Sequence, residues 1–552
     1  MVLTGETYVK FQRPNRPLQD YKSGALLVKC PPVMEDFFMR NVIDVLFINP
    51  GSSKDVYQGL STDYAGIGTP YWALLLAQSC RSKNYKVGIL DILAEQISRE
   101  EAVERIKSLN PRLITICVYG ENVNSGTTQM SGAVKLANLI KEKGVDTPVS
   151  FVGSHVQALP YKVLEEEPSI DIIFTNEGVY SLWDLLKIDD LNDKFLLEFI
   201  DGIGFIKDGK PYLTKPSKIV PNERMDLDLP GYAWDLLPYK EKPFDLYRSP
   251  MWHGEYDHEK RTPYAALYTS LGCVFQCEFC MINILNRDDL DEIGVAGNYN
   301  KMRFWSPEFI IKEFDKLNEM GVETIRIADE MFLLNPKYYV PLSEMLSERP
   351  YADKLRMWAY SRVDTIRRPG VLKLLRKAGI KWLCLGIESA DKNIRLEVSK
   401  GKFEDVNIVD VVNQIHDADI GIIANYMFGL PGDTHETMQK TLDLSLELNT
   451  IAWNAYAAMP LPGSQLYKDA VEIGYDLPED YAGYSFHAYT TKPLPTDSLT
   501  PEEILKFRDE AYLIYHTDEK FLTKVKETYG DIAVNNIVEN TKVKLKRKIL
   551  GD

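Results

Sequence analysis

"LGCVFQCEFCMINI", residues 271–284, sets three cysteines into eight positions. Cys273, Cys277 and Cys280 follow a C-x3-C-x2-C spacing, and they are three of only seven cysteines in 552 residues. The other four, Cys30, Cys80, Cys117 and Cys384, are scattered, which argues against a secreted disulfide framework. A tight cluster in a thiol-poor chain points to a metal site in a reducing compartment. Three readings are open. Unligated buried cysteines rarely gather this closely. A structural zinc ion needs four ligands; no His or Cys occurs between Met281 and Lys381, and His253 and His258 lie upstream as the remaining candidates. An iron–sulfur cube usually takes four thiolates, and three leave one iron open to an exogenous ligand.

Working outward, the cysteines follow a strand-like run, PYAALYTSLGC. Five more runs come after it: ETIRIADEMF, LRMWAYSRV, KWLCLGIES, GIIANYMFGLPG and IAWNAYAAMPLPG. Helices lie between them; Ser306-Pro307 opens one and Gly379 closes another. Six strand–helix units predict a (β/α)6 partial TIM barrel over residues 261–470, with functional groups on the loops after the strands. Upstream, VIDVLFINPG, YKVGILDI, LITICVYG, PVSFVGSH and DIIFTNEG alternate with amphipathic stretches over residues 41–185. That pattern predicts an α/β, Rossmann-like, doubly wound domain. Its strand-end loops, 49–68, 119–132, 153–158 and 176–181, are rich in Gly, Ser, Thr and Asn and let backbone approach a large ligand.

The remaining segments are less regular. Residues 1–40 read as an extension wrapped on a neighbouring domain, and 186–260 as a linker with a small strand segment, DGIGFIKDGKPYLTK. Residues 471–552 read as mostly helical. There Thr500-Pro-Glu-Glu503 has capping-box spacing, and KVKLKRKILGD reads as a solvated helix end. The aromatics Tyr481, Tyr484, Phe486, His487 and Tyr489 are expected in core rather than in a pocket. Hydrophobic content of 45% and charged content of 26% suit a soluble globular chain. A net charge of −16 argues against a nucleic-acid partner and for a small-molecule substrate. The start, MVLTGETYVKFQRPN, has no apolar signal core, and no apolar run approaches the roughly 18 residues of a membrane span. A cytoplasmic location is expected.

The cysteine spacing, with Phe279 just before the last cysteine and the barrel series behind it, resembles the radical S-adenosylmethionine enzymes. The resemblance implies that Cys273, Cys277 and Cys280 hold a 4Fe–4S cluster whose open iron is chelated by S-adenosylmethionine. An external one-electron donor of flavodoxin or ferredoxin type would then drive cleavage to a 5′-deoxyadenosyl radical. It further implies Asp329 and Glu330 for the cofactor's ammonium, Arg362 for its carboxylate, and Glu388 and Ser389 for the ribose. Gly429, Leu430 and Pro431 would meet the adenosine, with MPLPG of the sixth strand on the adenine side.

The first domain resembles the cobalamin-binding domain of the cobalamin-dependent members of that family. VLFINPG, GTPYWALLLAQ, FVGSHVQALP and DIIFTNEGVYSL carry the likeness. Gly153-Ser154-His155 stands where the family has Gly-Gly-x-His, and Asn176-Glu177-Gly178-Val179 where it has an acidic turn. The corrin-facing set implied is Tyr57, Gly66, Gly68, Glu121, Ser125, Gly153, Ser154, His155, Glu177 and Gly178. Many cobalamin proteins carry D-x-H-x-x-G; here Asp55 is kept, Tyr57 replaces the histidine and the glycine comes one residue early. No histidine is therefore expected on cobalt, and Tyr57 or water is left for its lower face. The resemblance implies a radical methyltransferase that moves a methyl group from methylcobalamin to an unactivated carbon. The rival enzyme reading keeps both cofactors for ring contraction, cyclisation or oxidation; the non-enzyme rival is a zinc-stabilised α/β binding protein.

Overall fold

The structure is a computed structural model that describes residues 43–61, 65–250, 263–290, 294–295, 299–366, 369–400 and 406–552. The expected N-terminal extension, Cys30, His253 and His258 lie outside the described residues. Among the described residues, fifteen strands form three sheets. The first sheet contains β1 (Val45–Asn49), β2 (Val87–Asp91), β3 (Leu113–Cys117), β4 (Val149–Val152), β5 (Ile172–Phe174), β6 (Ile203–Lys207) and β7 (Lys210–Leu213). Their order is β2-β1-β3-β4-β5-β6-β7. The first five are parallel, apolar and covered by helices on both faces, as continuous hydrophobic runs demand. The order reverses between β1 and β3, which makes the loops after these strands the switch point where such sheets bind ligands. Strands β6 and β7 come from the segment read as a linker. They extend this sheet antiparallel, because β6 pairs its backbone with the otherwise open edge of β5.

Strands β8 (Tyr264–Leu267), β9 (Ser270–Gly272), β10 (Met302–Phe304), β11 (Thr324–Ile327), β12 (Arg356–Arg362), β13 (Ile380–Glu388), β14 (Gly421–Phe428) and β15 (Ala452–Ala457) build the second half. Six of them form an open parallel sheet, β8-β11-β12-β13-β14-β15, the expected partial barrel. The run read as one strand before the cysteines is broken in two. β8 joins the barrel and β9 turns away to pair antiparallel with β10. The break sits at Thr269, whose N–H and hydroxyl donate to the buried Asp329 carboxylate at 2.5 and 2.6 Å, with the Ser270 hydroxyl at 2.6 Å. This local network outcompetes continuation of the strand.

Buried polar connections bind the halves. Glu177 forms a bidentate ion pair with Arg303 (3.1 and 2.7 Å) and accepts the Val220 N–H, with both side chains almost fully buried. Thr69 hydroxyl accepts the Ala266 N–H at 2.9 Å and donates to its carbonyl at 3.0 Å, occupying backbone groups of edge strand β8. The C-terminal segment wraps back over both halves. The Thr500 capping box forms as the spacing predicts, and its helix runs Pro501–His516. The basic tail is not a solvated helix end. Helix Asp531–Thr541 stops short of it, and Arg547 is buried with Nε and Nη2 on Asp509 and Nη1 on the Ala488 carbonyl. Gln58, from the loop after β1, bridges to the backbone of Lys546 and His487. The late aromatics serve this docking: Tyr481 bonds Glu167 and abuts His155, Phe486 packs on Tyr456, and His487 faces Tyr57.

Removing one partner of the Glu177–Arg303 pair strands a buried charge. Glu177→Ala should lower unfolding free energy by about 3–5 kcal/mol in urea denaturation, and Glu177→Leu combined with Arg303→Met should recover a large part. Burial also holds His155 and His487 down to about 3 and His516 down to about 4. The unfolded chain protonates these imidazoles below about 6.5 while the folded chain does not, so each costs stability as pH falls through that window. His487→Phe should flatten the dependence of unfolding free energy on pH between about 6 and 4 by about 1.4 kcal/mol per unit.

Candidate active site

The cysteine loop leaves β9 at Cys273 and is laced from several sides. Asn283 accepts the Cys273 N–H at 2.8 Å and donates to the Phe275 carbonyl at 2.8 Å. Glu278 bonds the Val398 carbonyl through its N–H and takes the Leu466 N–H on its own carbonyl. Phe279 packs beside Ile394, Val398, Met427 and Leu430, anchoring the loop to the far side of the barrel. Cys273, Cys277 and Cys280 are unbridged. Burial pushes the Cys273 thiol up to about 12 and Cys277 to about 11. A bound cation inverts that preference and draws thiolates. Among the described residues no three His, Cys, Asp or Glu side chains converge on one ion. A four-iron cube sets each thiolate on a different iron and does not ask for such convergence.

The barrel's strand ends face this loop. Asp329 is not available to a ligand ammonium, since its carboxylate is spent on Thr269 and Ser270. Glu330 differs: its Oε1 is buried without a hydrogen-bond partner, and burial raises its carboxyl to about 7. An orphaned buried carboxylate beside the cysteines fits a cationic group of a bound cofactor. Arg362 Nε and Nη2 both donate to Asp364 at 2.6 Å, so the fork expected for a ligand carboxylate is taken by a neighbour two residues on. Its guanidinium stacks 3.7 Å over Phe275, with Nη1 3.8 Å from Cys277 Sγ. Glu388 ends β13 at φ +65°, a strained conformation for a non-glycine residue, with its carboxyl raised to about 7 by burial. Ser389 turns inward to Thr441 and Asp391 and is fully buried, away from a ribose. Gly429 is small because Ile504 of the C-terminal helix lies 2.7 Å from where a Cβ would sit. Leu430 is buried, its N–H capped by Asp433, and only Pro431 keeps partial exposure.

Of the first domain's expected set, several side chains are already engaged. Ser154 Oγ donates to the Val123 carbonyl, and Gly153 has no room for a Cβ because Val118 oxygen would lie 2.5 Å from it. His155 meets Thr127 at 3.0 Å and is buried. Glu177 is held by Arg303, and Gly178 backs onto the Phe174 ring. Gly66 abuts Pro250. These residues shape the strand ends from within. Those that turn toward the barrel sit at the switch point: Tyr57 after β1 and Glu121 after β3. Ser125 shares a capping box with Asn122. Glu121, beside Gly68, reaches Arg326 of β11 at 3.3 Å. Asn124 was not singled out by sequence. Its Oδ1 accepts the Met281 N–H at 2.9 Å, and its amide lies 3.6 Å from Cys280 Sγ. The only signal for it was the Asn- and Ser-rich composition of its loop.

Comparison with known proteins agrees with this layout. Residues 267–445 match the radical SAM superfamily model, and residues 57–185 match the B12 binding domain model. An uncharacterized methyltransferase of Pyrococcus horikoshii is 24% identical over 485 residues, 88% of this chain and 94% of that protein. The anaerobic magnesium-protoporphyrin IX monomethyl ester cyclase of Cereibacter sphaeroides is 24% identical over 477 residues, 84% of this chain and 68% of that protein. The solved radical S-adenosylmethionine methyltransferase TsrM of Kitasatospora setae, with cobalamin and a 4Fe–4S cluster bound, shares the fold. Its TM-score is 0.57 at 15% identity over 84% of each chain. With both matches in one chain and the cysteine trio inside the radical SAM match, the protein is a radical S-adenosylmethionine enzyme with a cobalamin-binding domain, which works with a 4Fe–4S cluster, S-adenosylmethionine and cobalamin.

Proposed function

We propose that this enzyme methylates an unactivated carbon of a small molecule held between the barrel and the first domain. The contact of Asn124 with Met281 and Cys280 carries the reading, because it joins the loop after β3 directly to the cysteine loop. When bound, the cluster with S-adenosylmethionine supplies one-electron hydrogen abstraction and cobalamin supplies a methyl group. The protein's part is to hold and orient. Cys273, Cys277 and Cys280 would hold the cluster, Glu330 would take the cofactor's ammonium, and Glu388 would serve its sugar. Arg362, neutralised by Asp364, lies against the Cys277 sulfur and stabilises its thiolate form. Tyr57, Glu121 and Ser125 border the corrin side. Closure by the C-terminal segment over the loop after β1 keeps water from the reacting groups. A flavodoxin- or ferredoxin-type donor supplies the electron.

A second reading, cyclisation with the same cofactors, is favoured by the similarity to the protoporphyrin ester cyclase over 84% of this chain. Product mass separates the two: methyl transfer adds one methylene, and cyclisation removes hydrogen or adds oxygen.

Anaerobically reconstituted protein should carry about four irons per chain, and Cys277→Ala should abolish the brown chromophore. Incubation with methyl-labelled S-adenosylmethionine, a reductant and a small-molecule extract of the host should place label in one product. 5′-Deoxyadenosine and S-adenosylhomocysteine should then form in equal amounts. Absence of label from every product would remove methyl transfer.

A further inference from the structure

The exposure pattern along the six-stranded sheet points to a hollow rather than a packed interior. Along its later strands, partly exposed residues alternate with buried ones: Tyr360 in β12, Gly386 and Glu388 in β13, Asn425 in β14, Asn454 and Tyr456 in β15. Registers Gly386↔Asn425↔Asn454 put these positions on one face. Arg362, two residues beyond Tyr360 and on the same side of the strand, points at Cys277. The hollow therefore opens at the cysteine loop. A barrel interior is normally filled by layers of side chains, so room here is room for ligands.

Arg326 of β11 lies in the wall of this hollow, 5.1 Å from the centre of the Tyr360 ring. It is 6% exposed, yet its Nε has no hydrogen-bond partner and its Nη1 makes one long contact, 3.3 Å to Glu121. That carboxylate is itself 44% exposed, so its pull on the guanidinium is diluted by solvent. Arg303, equally buried, bonds Glu177, Asn286, Val220 and Leu285. A guanidinium carries five donors, and leaving them unmet in a buried place is costly. Tyr71, Tyr264 and Tyr360 surround Arg326, and the Tyr264 hydroxyl lies close enough to share a hydrogen bond with it. Glu330 and the cysteines are the groups assigned to the cofactor in the function proposed above.

We propose that Arg326 is the oxyanion-recognition group of the substrate chamber, and that the substrate is a small molecule bearing a carboxylate or phosphoryl group. The planar fork suits either group, and the partly exposed rings of Tyr57, Tyr360 and Tyr456 suit an apolar or flat body attached to it. The assignment rests on the substrate lying between the barrel and the first domain, as in the function proposed above.

Calorimetric titration of the reconstituted holoenzyme with phenylacetate, phenyl phosphate and neutral phenylacetamide tests it. At least one anion should bind tenfold or more tightly than the amide. Arg326→Gln should abolish that preference, Arg326→Lys should keep part of it, and Glu121→Gln should strengthen it. Iron content and S-adenosylmethionine affinity should stay unchanged in Arg326→Gln. Tighter phenylacetate assigns a carboxylate, and tighter phenyl phosphate a phosphoryl group. Equal binding of all three probes, or a preference that survives Arg326→Gln, overturns the proposal. So does a tenfold loss of S-adenosylmethionine affinity in that variant, which would give Arg326 to the cofactor. An intact, Arg326-dependent preference in an enzyme that labels no product would separate failure of methyl transfer from failure of this assignment.

Discussion

The six parallel strands do not close into a barrel, and that incompleteness governs the molecule. The edge strand β8 would otherwise present unpaired N–H and carbonyl groups beside an open hollow. Thr69 of the first domain answers Ala266 at that edge with a donor and an acceptor on one hydroxyl. The same face of the first domain supplies Glu121 to Arg326 and Asn124 to the cysteine loop, while Glu177 grips Arg303 behind it. Thus the domain that carries the switch-point loops is also the missing wall of the barrel. Juxtaposition of the two cofactor sites follows from this closure.

Within that frame, the site is organised by what its polar groups are already bonded to. Asp329, Asp364 and Asn283 are fully employed in setting Thr269, Arg362 and Cys273. Satisfied buried networks are rigid, and rigidity keeps ligating and orienting groups in place before a cofactor arrives. Among the groups left wanting, Glu330 Oε1 and Arg326 Nε both belong to β11 and the turn that follows it. One segment of chain therefore carries unmet demand of opposite charge at two depths. Glu388, held at positive φ on the neighbouring wall, adds local backbone strain of the kind that persists at working sites.

Most strands were legible because parallel strands buried on both faces are short apolar runs, and turn residues bracket them. The reading failed where a distant side chain intervened. PYAALYTSLGC reads as one strand, yet Asp329, sixty residues on, splits it at Thr269. The small hairpin of β6 and β7 was seen as strands, but its membership of the first sheet depended on a free edge at β5. The basic tail looked solvated until Asp509 and the Ala488 carbonyl gave Arg547 partners. Motif glycines were read as room for ligands; at Gly153 and Gly429 the room is filled by Val118 and Ile504.

The sequence by itself determined the two α/β halves, the close trio of Cys273, Cys277 and Cys280, and the kind of chemistry they imply. Those features depend on residue type and local spacing, which a chain carries in one dimension. Tertiary structure alone decided which polar residues are committed and which are not. Glu177 meets Arg303 across 126 residues, and Glu121 meets Arg326 across 205. Both acids stand at strand ends of the first domain, but one is locked in a buried pair and the other shares a thinly partnered arginine. Hydrogen-bond satisfaction is a property of packing, so that difference appears only once the chain is folded.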